Sequence, residues 1–238
     1  MESDLRYDVR TEKLISEIAR PKTLLGKIYR LVPEGVNLLD VGCHTGGLGR
    51  LLQEKRCKVT GLEKNPQAAE KARAALSRVV VGDIEDPAIF DRLGNKFDAI
   101  LFLDVLEHCQ DPGWVLKKAR ACLAPNGFVL CSIPNIAHWT MRKNLLLGRF
   151  NYQSTGILDE SHLRFFTIAT ARALFLTAGY ETELVDGFLK PPKLLKQKII
   201  PLAVARRFPG LFAYQIIVKA KPNLAGGADA RGAPSFEF

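Results

Sequence analysis

At 238 residues, with 47% hydrophobic and 25% charged side chains, the chain is long enough to bury one α/β core without disulfides and is neither a disordered nor a collagen-like sequence. Its formal net charge of +9 leaves nucleic acid or an anionic surface open as partners, so where the cations sit matters more than their sum. No apolar run reaches the ~18 to 20 residues that cross a bilayer, the polar start Met-Glu-Ser-Asp is unlike a signal peptide, and the five cysteines form no C-x-x-C pair; a cytoplasmic protein with reduced core cysteines is expected.

Apolar residues at Leu14, Ile15, Ile18, Leu24, Leu25, Ile28 and Leu31, interrupted by Pro21, predict one kinked or two short helices over residues 10–31. Residues 36–41 read as the first strand. It enters the stretch Leu38 to Gly49, L-L-D-V-G-C-H-T-G-G-L-G, in which small residues follow Asp40 and helical spacing resumes at Leu48, Leu51 and Leu52. Ligands of open α/β sheets bind at such strand-turn-helix junctions. Gly42 and Gly46 let a ligand lie against the backbone, while His44 between them obstructs the approach that a pyrophosphate makes to the middle glycine of a dinucleotide fingerprint. A nucleoside without phosphates fits this turn better.

Residues 58–62 form the second strand and end at Glu63, which follows the glycine turn by roughly the 20 residues at which a βαβ unit places an acid on ribose hydroxyls. The bland alternative is a surface glutamate at a strand end. A helix over 66–76 and a strand over 78–81 follow, then Gly82-Asp83-Ile84. The apolar run 97–103 is expected to be a central strand covered on both faces, and it runs into Asp104-Val105-Leu106-Glu107-His108. A helix over 112–123, a Pro125-Asn126-Gly127 turn and a strand over 128–133 complete an alternation that argues for a parallel, doubly wound sheet.

A helix over 139–147 ends at Gly148, and the loop that follows is long enough to be a lid over a site. Thr167 is placed to cap a helix over 168–178, with Gly179 as its stop, and the last strands are expected at 180–185 and 212–218. The segment 188–210 holds Lys190, Lys193, Lys196, Lys198, Arg206 and Arg207 among leucines and isoleucines, with no acid. That interleaving suits an anionic membrane surface better than nucleic acid; the alternative is a solvated cover on the domain. Residues 221–238 read as a disordered tail.

The turn 38–49 resembles motif I of the class I S-adenosylmethionine (SAM)-dependent methyltransferases, L-D-V-G-C-G-T-G, with His44 in place of a glycine. D-V-L-E-H at 104–108 and S-H-L-R-F-F-T at 161–167 resemble class I O-methyltransferases that include the enzymes of ubiquinone biosynthesis and of bacterial sugars and surface polysaccharides. The resemblance implies a Rossmann-like, doubly wound seven-stranded α/β sheet, mostly parallel with one antiparallel strand. N-terminal helices and a lid insertion over 134–167 would complete one domain over residues 1–220. It implies SAM as cofactor, bound through Asp40, Gly42, His44, Gly46, Glu63, Asp83, Ile84, Leu103 and Asp104. Asp83 would accept the adenine amino group while Ile84 packs on the ring, unless Asp83 instead caps the helix near Pro87.

Methyl transfer from a sulfonium is an in-line displacement, so the acceptor must be held on axis and, if it is a hydroxyl, deprotonated. His162, Glu107 and His108 are the catalytic expectations, with His162 first because imidazole titrates near neutral pH; otherwise it shapes its loop by bonding a carbonyl. No metal ligands are assigned. In the ubiquinone-type relatives an E-x-x-E-H pattern binds a divalent metal, and here Asp104, Glu107 and His108 would be the corresponding mixed oxygen and nitrogen set, or would cap the strand end and bond the lid. The expected activity is O-methylation of a small-molecule or lipid-linked acceptor: a quinone precursor, sugar or secondary metabolite. The readings from other classes are an NAD-type oxidoreductase and a noncatalytic, membrane-associated SAM-binding protein.

Overall fold

The computed structural model describes residues 23–94, 96–189 and 202–223. Its strands are β1 (Asn37–Val41), β2 (Lys58–Glu63), β3 (Arg78–Val81), β4 (Phe97–Leu103), β5 (Leu123–Pro134), β6 (Tyr180–Phe188) and β7 (Gln215–Pro222). Its helices are α1 (Leu24–Leu31), α2 (Gly47–Glu54), α3 (Pro66–Arg73), α4 (Ile89–Leu93), α5 (Pro112–Ala119), α6 (Trp139–Leu146), α7 (Ile168–Thr177), α8 (Leu202–Arg207) and α9 (Pro209–Phe212). The strands make one seven-stranded sheet in the order β3-β2-β1-β4-β5-β7-β6. Pairing is parallel from β3 through β4, with Leu38 opposite Val59 on one side and Ala99 on the other, and antiparallel between β6 and β7. The doubly wound, mostly parallel sheet expected from the alternation is the one observed.

The chain divides into two compact units, Met1–Leu103 with Lys118–Leu130, and Asp104–Lys117 with Cys131–Phe238. In the first, Leu38, Leu39, Ile100, Leu101 and Phe102 are all buried, as expected of parallel strands with both faces covered. Helix α3 starts where Asn65 accepts the N–H groups of Gln67 and Ala68 and Pro66 takes the first helical position. Leu76, just beyond α3, then settles on glycines. A Cβ on Gly49 would lie 2.5 Å from its Cδ2, and one on Gly61 would lie 2.7 Å from its Cδ1 and 2.5 Å from the Cys43 sulfur. These close approaches are what seats the glycine turn against β2.

In the second unit, α7 opens on a capping box: Thr167 accepts from the Thr170 N–H while Thr170 accepts from the Thr167 N–H. Buried Tyr180 donates its hydroxyl to the Leu116 carbonyl, and buried Asn135 donates to the carbonyls of Ala213 and Gly210. All five cysteines are buried, and none forms a disulfide.

Several boundaries differ from the sequence reading: the helix from Pro66 ends at Arg73, the helix from Pro112 ends at Ala119, and β6 runs on to Phe188. Strand β5 starts at Leu123 rather than 128 and absorbs Pro125-Asn126-Gly127, because Gly127 passes so close to the Phe97 carbonyl that a Cβ would sit 2.7 Å from its oxygen. Strand β7 starts at Gln215 rather than 212, since Pro209 nucleates the one-turn α9, and it runs to Pro222, into the stretch read as tail. The predicted helix before residue 23, the cations Lys190, Lys193, Lys196 and Lys198, and residues 224–238 lie outside the described residues. Among those described, no helix is long and apolar enough to cross a membrane.

Gly61→Ala tests the close packing of the turn on β2. Overpacking against Cys43 and Leu76 should cost ~1–3 kcal/mol, read as a lowered urea midpoint at unchanged m-value.

Candidate functional site

After β1 the backbone turns through positive φ at Gly42 (70°), His44 (49°) and Gly46 (81°). The Gly42 and Cys43 N–H groups both bond the Leu62 carbonyl, at 2.8 and 3.1 Å, which ties the turn to the end of β2. A left-handed conformation costs a residue with a Cβ ~1–2 kcal/mol, so His44 must be held there. Its N–H donates to Glu63 Oε2 at 2.8 Å, while the Asn65 N–H donates to Oε1 at 2.8 Å. Glu63 is buried rather than the surface strand end of the bland alternative. Each carboxylate oxygen, with one N–H accepted, keeps acceptor capacity for a hydroxyl.

Asp40, at the end of β1, is also buried, and its carboxyl is pushed up to about 7, first by burial and then by the charge of Glu63. Two acids this close with limited water favour a ligand that donates hydrogen bonds. After β3, Asp83 accepts the Glu85 N–H at 3.0 Å and pairs with Lys64 at 2.7 Å. Burial raises its carboxyl, but those two bonds outweigh it and hold the group below its usual range. Asp83 caps no helix: α4 begins at Ile89, with Ala88 as its N-cap. Ile84 beside it is buried, and Leu103, the last residue of β4, is half-buried.

In the second unit, Asp104 takes a positive φ of 54° and its carboxylate accepts the Ser132 hydroxyl at 3.0 Å. Desolvation by burial raises its carboxyl, opposed by bonds from Ser132 and Gln215 and by His108. A turn of 3₁₀ helix follows, Leu106–His108. There the chain returns: the N–H groups of Leu163 and Arg164 both bond the Glu107 carbonyl, and the Arg164 guanidinium bonds the Gln110 carbonyl. His108 Nδ1 lies 3.1 Å from the Ser161 carbonyl and His162 Nδ1 lies 3.0 Å from the Ile157 carbonyl. A carbonyl only accepts, so each Nδ1 carries a hydrogen and each Nε2 is left as the ring's other nitrogen.

The two imidazole rings are 4.8 Å apart, edge to face. Glu107 joins them, almost wholly buried, with neither carboxyl oxygen partnered. Burial, then the charge of Asp104, holds its carboxyl well above the usual range. Burial lowers His162, keeping the ring neutral and its Nε2 a base near pH 7. One ligand atom from each of Glu107, His108 and His162 lies within 4.8 Å of the others. Of the three residues that the resemblance offered for a metal, Asp104 is not in this group, and His162 takes its place. The orphaned carboxylate and two imidazoles with fixed tautomers fit a divalent cation.

Sequence reading gave no role to His138. It is buried, caps α6 through its contact with Thr140, and is lowered to about 4 by burial. The signal was present as H-x-T ahead of a helix, but an imidazole in a capping position is uncommon. Ser132 and Gln215, which partner Asp104, carry no local signal.

An open sheet of this order, with a glycine turn after its first strand and acids closing its first two strands, defines the class I Rossmann-like methyltransferase fold. The chain matches the methyltransferase domain family over residues 10–185 and belongs to it. It is 30% identical over 167 residues to the ubiquinone biosynthesis O-methyltransferase of Xanthomonas axonopodis pv. citri, covering 68% of this chain and 70% of that one. It is 31% identical over 134 residues to the enzyme of the same name from Cereibacter sphaeroides, spanning 55% of this chain and only 52% of that relative. Among solved structures it resembles a Haloferax volcanii methyltransferase in complex with the Trm112 activator, with a TM-score of 0.61 at 18% identity over 93% of this chain and 97% of that one. A SAM-dependent methyltransferase from Archaeoglobus fulgidus matches with a TM-score of 0.61 at 15% identity, over 83% and 92%. These two likenesses concern the fold.

The raised Asp40 carboxyl makes stability depend on pH. The folded chain holds this proton more tightly than the unfolded chain does, so stability is lost as pH rises from 3.8 through about 7. Asp40→Asn removes that loss. Relative to wild type it should gain stability between pH 5 and pH 8 by up to about a few kcal/mol, measured as urea midpoints at each pH; a difference that does not change with pH would refute the shift.

Proposed function

We propose that this chain transfers the methyl group of SAM to a hydroxyl oxygen of a small-molecule or lipid-linked acceptor. SAM, when bound, supplies a methyl group activated by its sulfonium. Glu63 holds the ribose diol with the acceptor capacity that its two backbone contacts leave. Asp83 accepts the adenine amino group and Ile84 covers the ring, while Asp40, Gly42, His44, Gly46 and Leu103 shape the rest of the nucleoside site. His162 takes the hydroxyl proton on Nε2 as the oxygen attacks, held in place by the Glu107 carbonyl, which bonds the Leu163 and Arg164 N–H groups, and by the edge-to-face contact with His108. The observation that carries this reading is His162 itself: buried, held neutral, and with its tautomer fixed by the Ile157 carbonyl.

Relatives named for ubiquinone biosynthesis favour a quinone precursor's hydroxyl among the acceptors. A cytoplasmic location with peripheral docking through the segment 188–210 belongs to the same proposal. Of its six cations, Arg206 and Arg207 lie among the described residues, and both are exposed.

His162→Ala should lower methyl transfer to a dihydroxybenzoate-type quinone precursor by roughly 10² or more while SAM affinity persists. Glu63→Ala should do the reverse and weaken SAM binding, since bonds to a charged group are worth about 1.5 to 3 kcal/mol. Calorimetry and release of S-adenosylhomocysteine read the two effects. Full turnover by His162→Ala would leave that histidine with a loop-shaping role alone, and SAM binding without turnover on any acceptor would favour a noncatalytic SAM-binding protein.

A second reading is favoured by the unpartnered Glu107 carboxyl. Glu107, His108 and His162 would hold a divalent cation, which would polarise the acceptor oxygen. Titration of the metal-free protein with Mg²⁺ or Zn²⁺ should then show one site that Glu107→Gln abolishes. Absence of binding, together with turnover indifferent to chelator, returns the proton to His162.

A further inference from the structure

Helix α6 has no buried residue. From Leu145 through Thr155 every residue is exposed, and the run includes Leu145, Leu146 at 87% exposure, Leu147, Phe150 and Tyr152, with Trp139 exposed at the start of the helix. Folding alone does not account for this. A helix of 8 residues is marginal in water and ordinarily owes its place to an apolar face against the core. Here its ends are fixed instead, by the His138 cap at one end and by Gly148 at a φ of 67° at the other. Beyond the helix, Phe150 meets the edges of Tyr152 and Phe165 at ring distances of 5.6 and 5.9 Å, so the aromatic end of the patch is arranged rather than loose. A run of large apolar side chains left in water on a well-placed segment marks an interaction face.

Charge narrows the occupant. From Trp139 to Leu158 there is no acidic residue, while Arg142, Lys143 and Arg149 lie inside the apolar stretch and are exposed. A second copy docked about a two-fold axis would bring these cations against their own counterparts. Nucleic acid would be met by the cations but gives three consecutive leucines nothing to enter. An anionic lipid surface answers both features: leucines and phenylalanine enter the headgroup boundary, cations meet the lipid charge, and tryptophan and tyrosine settle at the polar interface.

We propose that α6 and the loop through Tyr152 are a docking face for an anionic lipid leaflet. This face is distinct from the basic segment 188–210, and it stands whether or not the methyl acceptor is itself lipid-linked.

Sedimentation of the full chain with vesicles of phosphatidylglycerol and phosphatidylcholine in equal parts is the test. Wild type should pellet with these vesicles at low salt, be released at high salt, and ignore pure phosphatidylcholine. The triple variant Leu145→Ser, Leu146→Ser, Leu147→Ser and the double variant Lys143→Gln, Arg149→Gln should each bind about tenfold more weakly or worse. Their urea midpoints should match wild type, because the substituted side chains are exposed. Vesicles should also blue-shift the fluorescence of wild type but not of Trp139→Phe, which retains Trp114. Retention undiminished in the leucine variant overturns the proposal and shifts any lipid contact to the 188–210 segment, as does equal retention on neutral vesicles. A dimer seen in sedimentation velocity and abolished by the leucine substitutions, without vesicle binding, names a second copy as the occupant and likewise overturns it.

Discussion

A single carboxylate sets the geometry of the first unit. Glu63, at the end of β2, accepts one backbone N–H from the turn after β1 and one from the start of α3. Hydrogen bonds offset the cost of burying an acid, and the two segments that supply them here are thereby held in register. His44 can occupy a left-handed conformation that a glycine would take without strain because its N–H is anchored in this way. The same negative charge reaches Asp40 and makes ionisation of that second acid unfavourable. The turn is thus preorganised and short of donors, the condition under which a ligand rich in hydroxyl and amino groups gains most.

The second unit treats its buried acid in the opposite way. The segment through Arg164 is fastened at the 3₁₀ turn to main-chain carbonyls: the Glu107 carbonyl receives two of its N–H groups, and the Gln110 carbonyl receives the Arg164 guanidinium. The Glu107 side chain takes no part in this and is left buried without a partner. Leaving a carboxyl unsatisfied costs about 1–3 kcal/mol or more, so a structure that does so while satisfying the surrounding backbone is spending stability at that point. His108 and His162 share the arrangement, since their Nδ1 atoms are committed to carbonyls and their Nε2 atoms are not. The segment that carries His162 is positioned through main-chain carbonyls, and the Nε2 atoms of the two histidines stay out of those contacts.

How much of this was legible depends on how far apart the interacting groups are in the chain. Strand β4 has the bounds read from its apolar run, Thr167 caps α7 as its place before a helical pattern requires, and Glu63 closes β2 at the spacing a βαβ unit imposes. Each of these rests on periodicity, capping or spacing confined to one or two neighbouring elements. Strand ends were less legible. The start of β5 depends on the Phe97 carbonyl passing Gly127, and the start of β7 on a helical turn nucleated by Pro209.

The sequence by itself determined the strand-turn-helix unit, the alternation that forces a parallel sheet, and the residue types available for holding a nucleoside and moving a proton. These follow from φ preferences, capping and hydrophobic period, which act over a few residues. Only the tertiary structure decided that His162 joins Glu107 and His108 while Asp104 turns to Ser132. It also decided that Leu145, Leu146 and Leu147, apolar enough to read as core, stand in water. The physical reason is that proximity and burial are properties of where the chain returns. Composition states what a side chain prefers, and the packing of distant segments determines whether that preference is met.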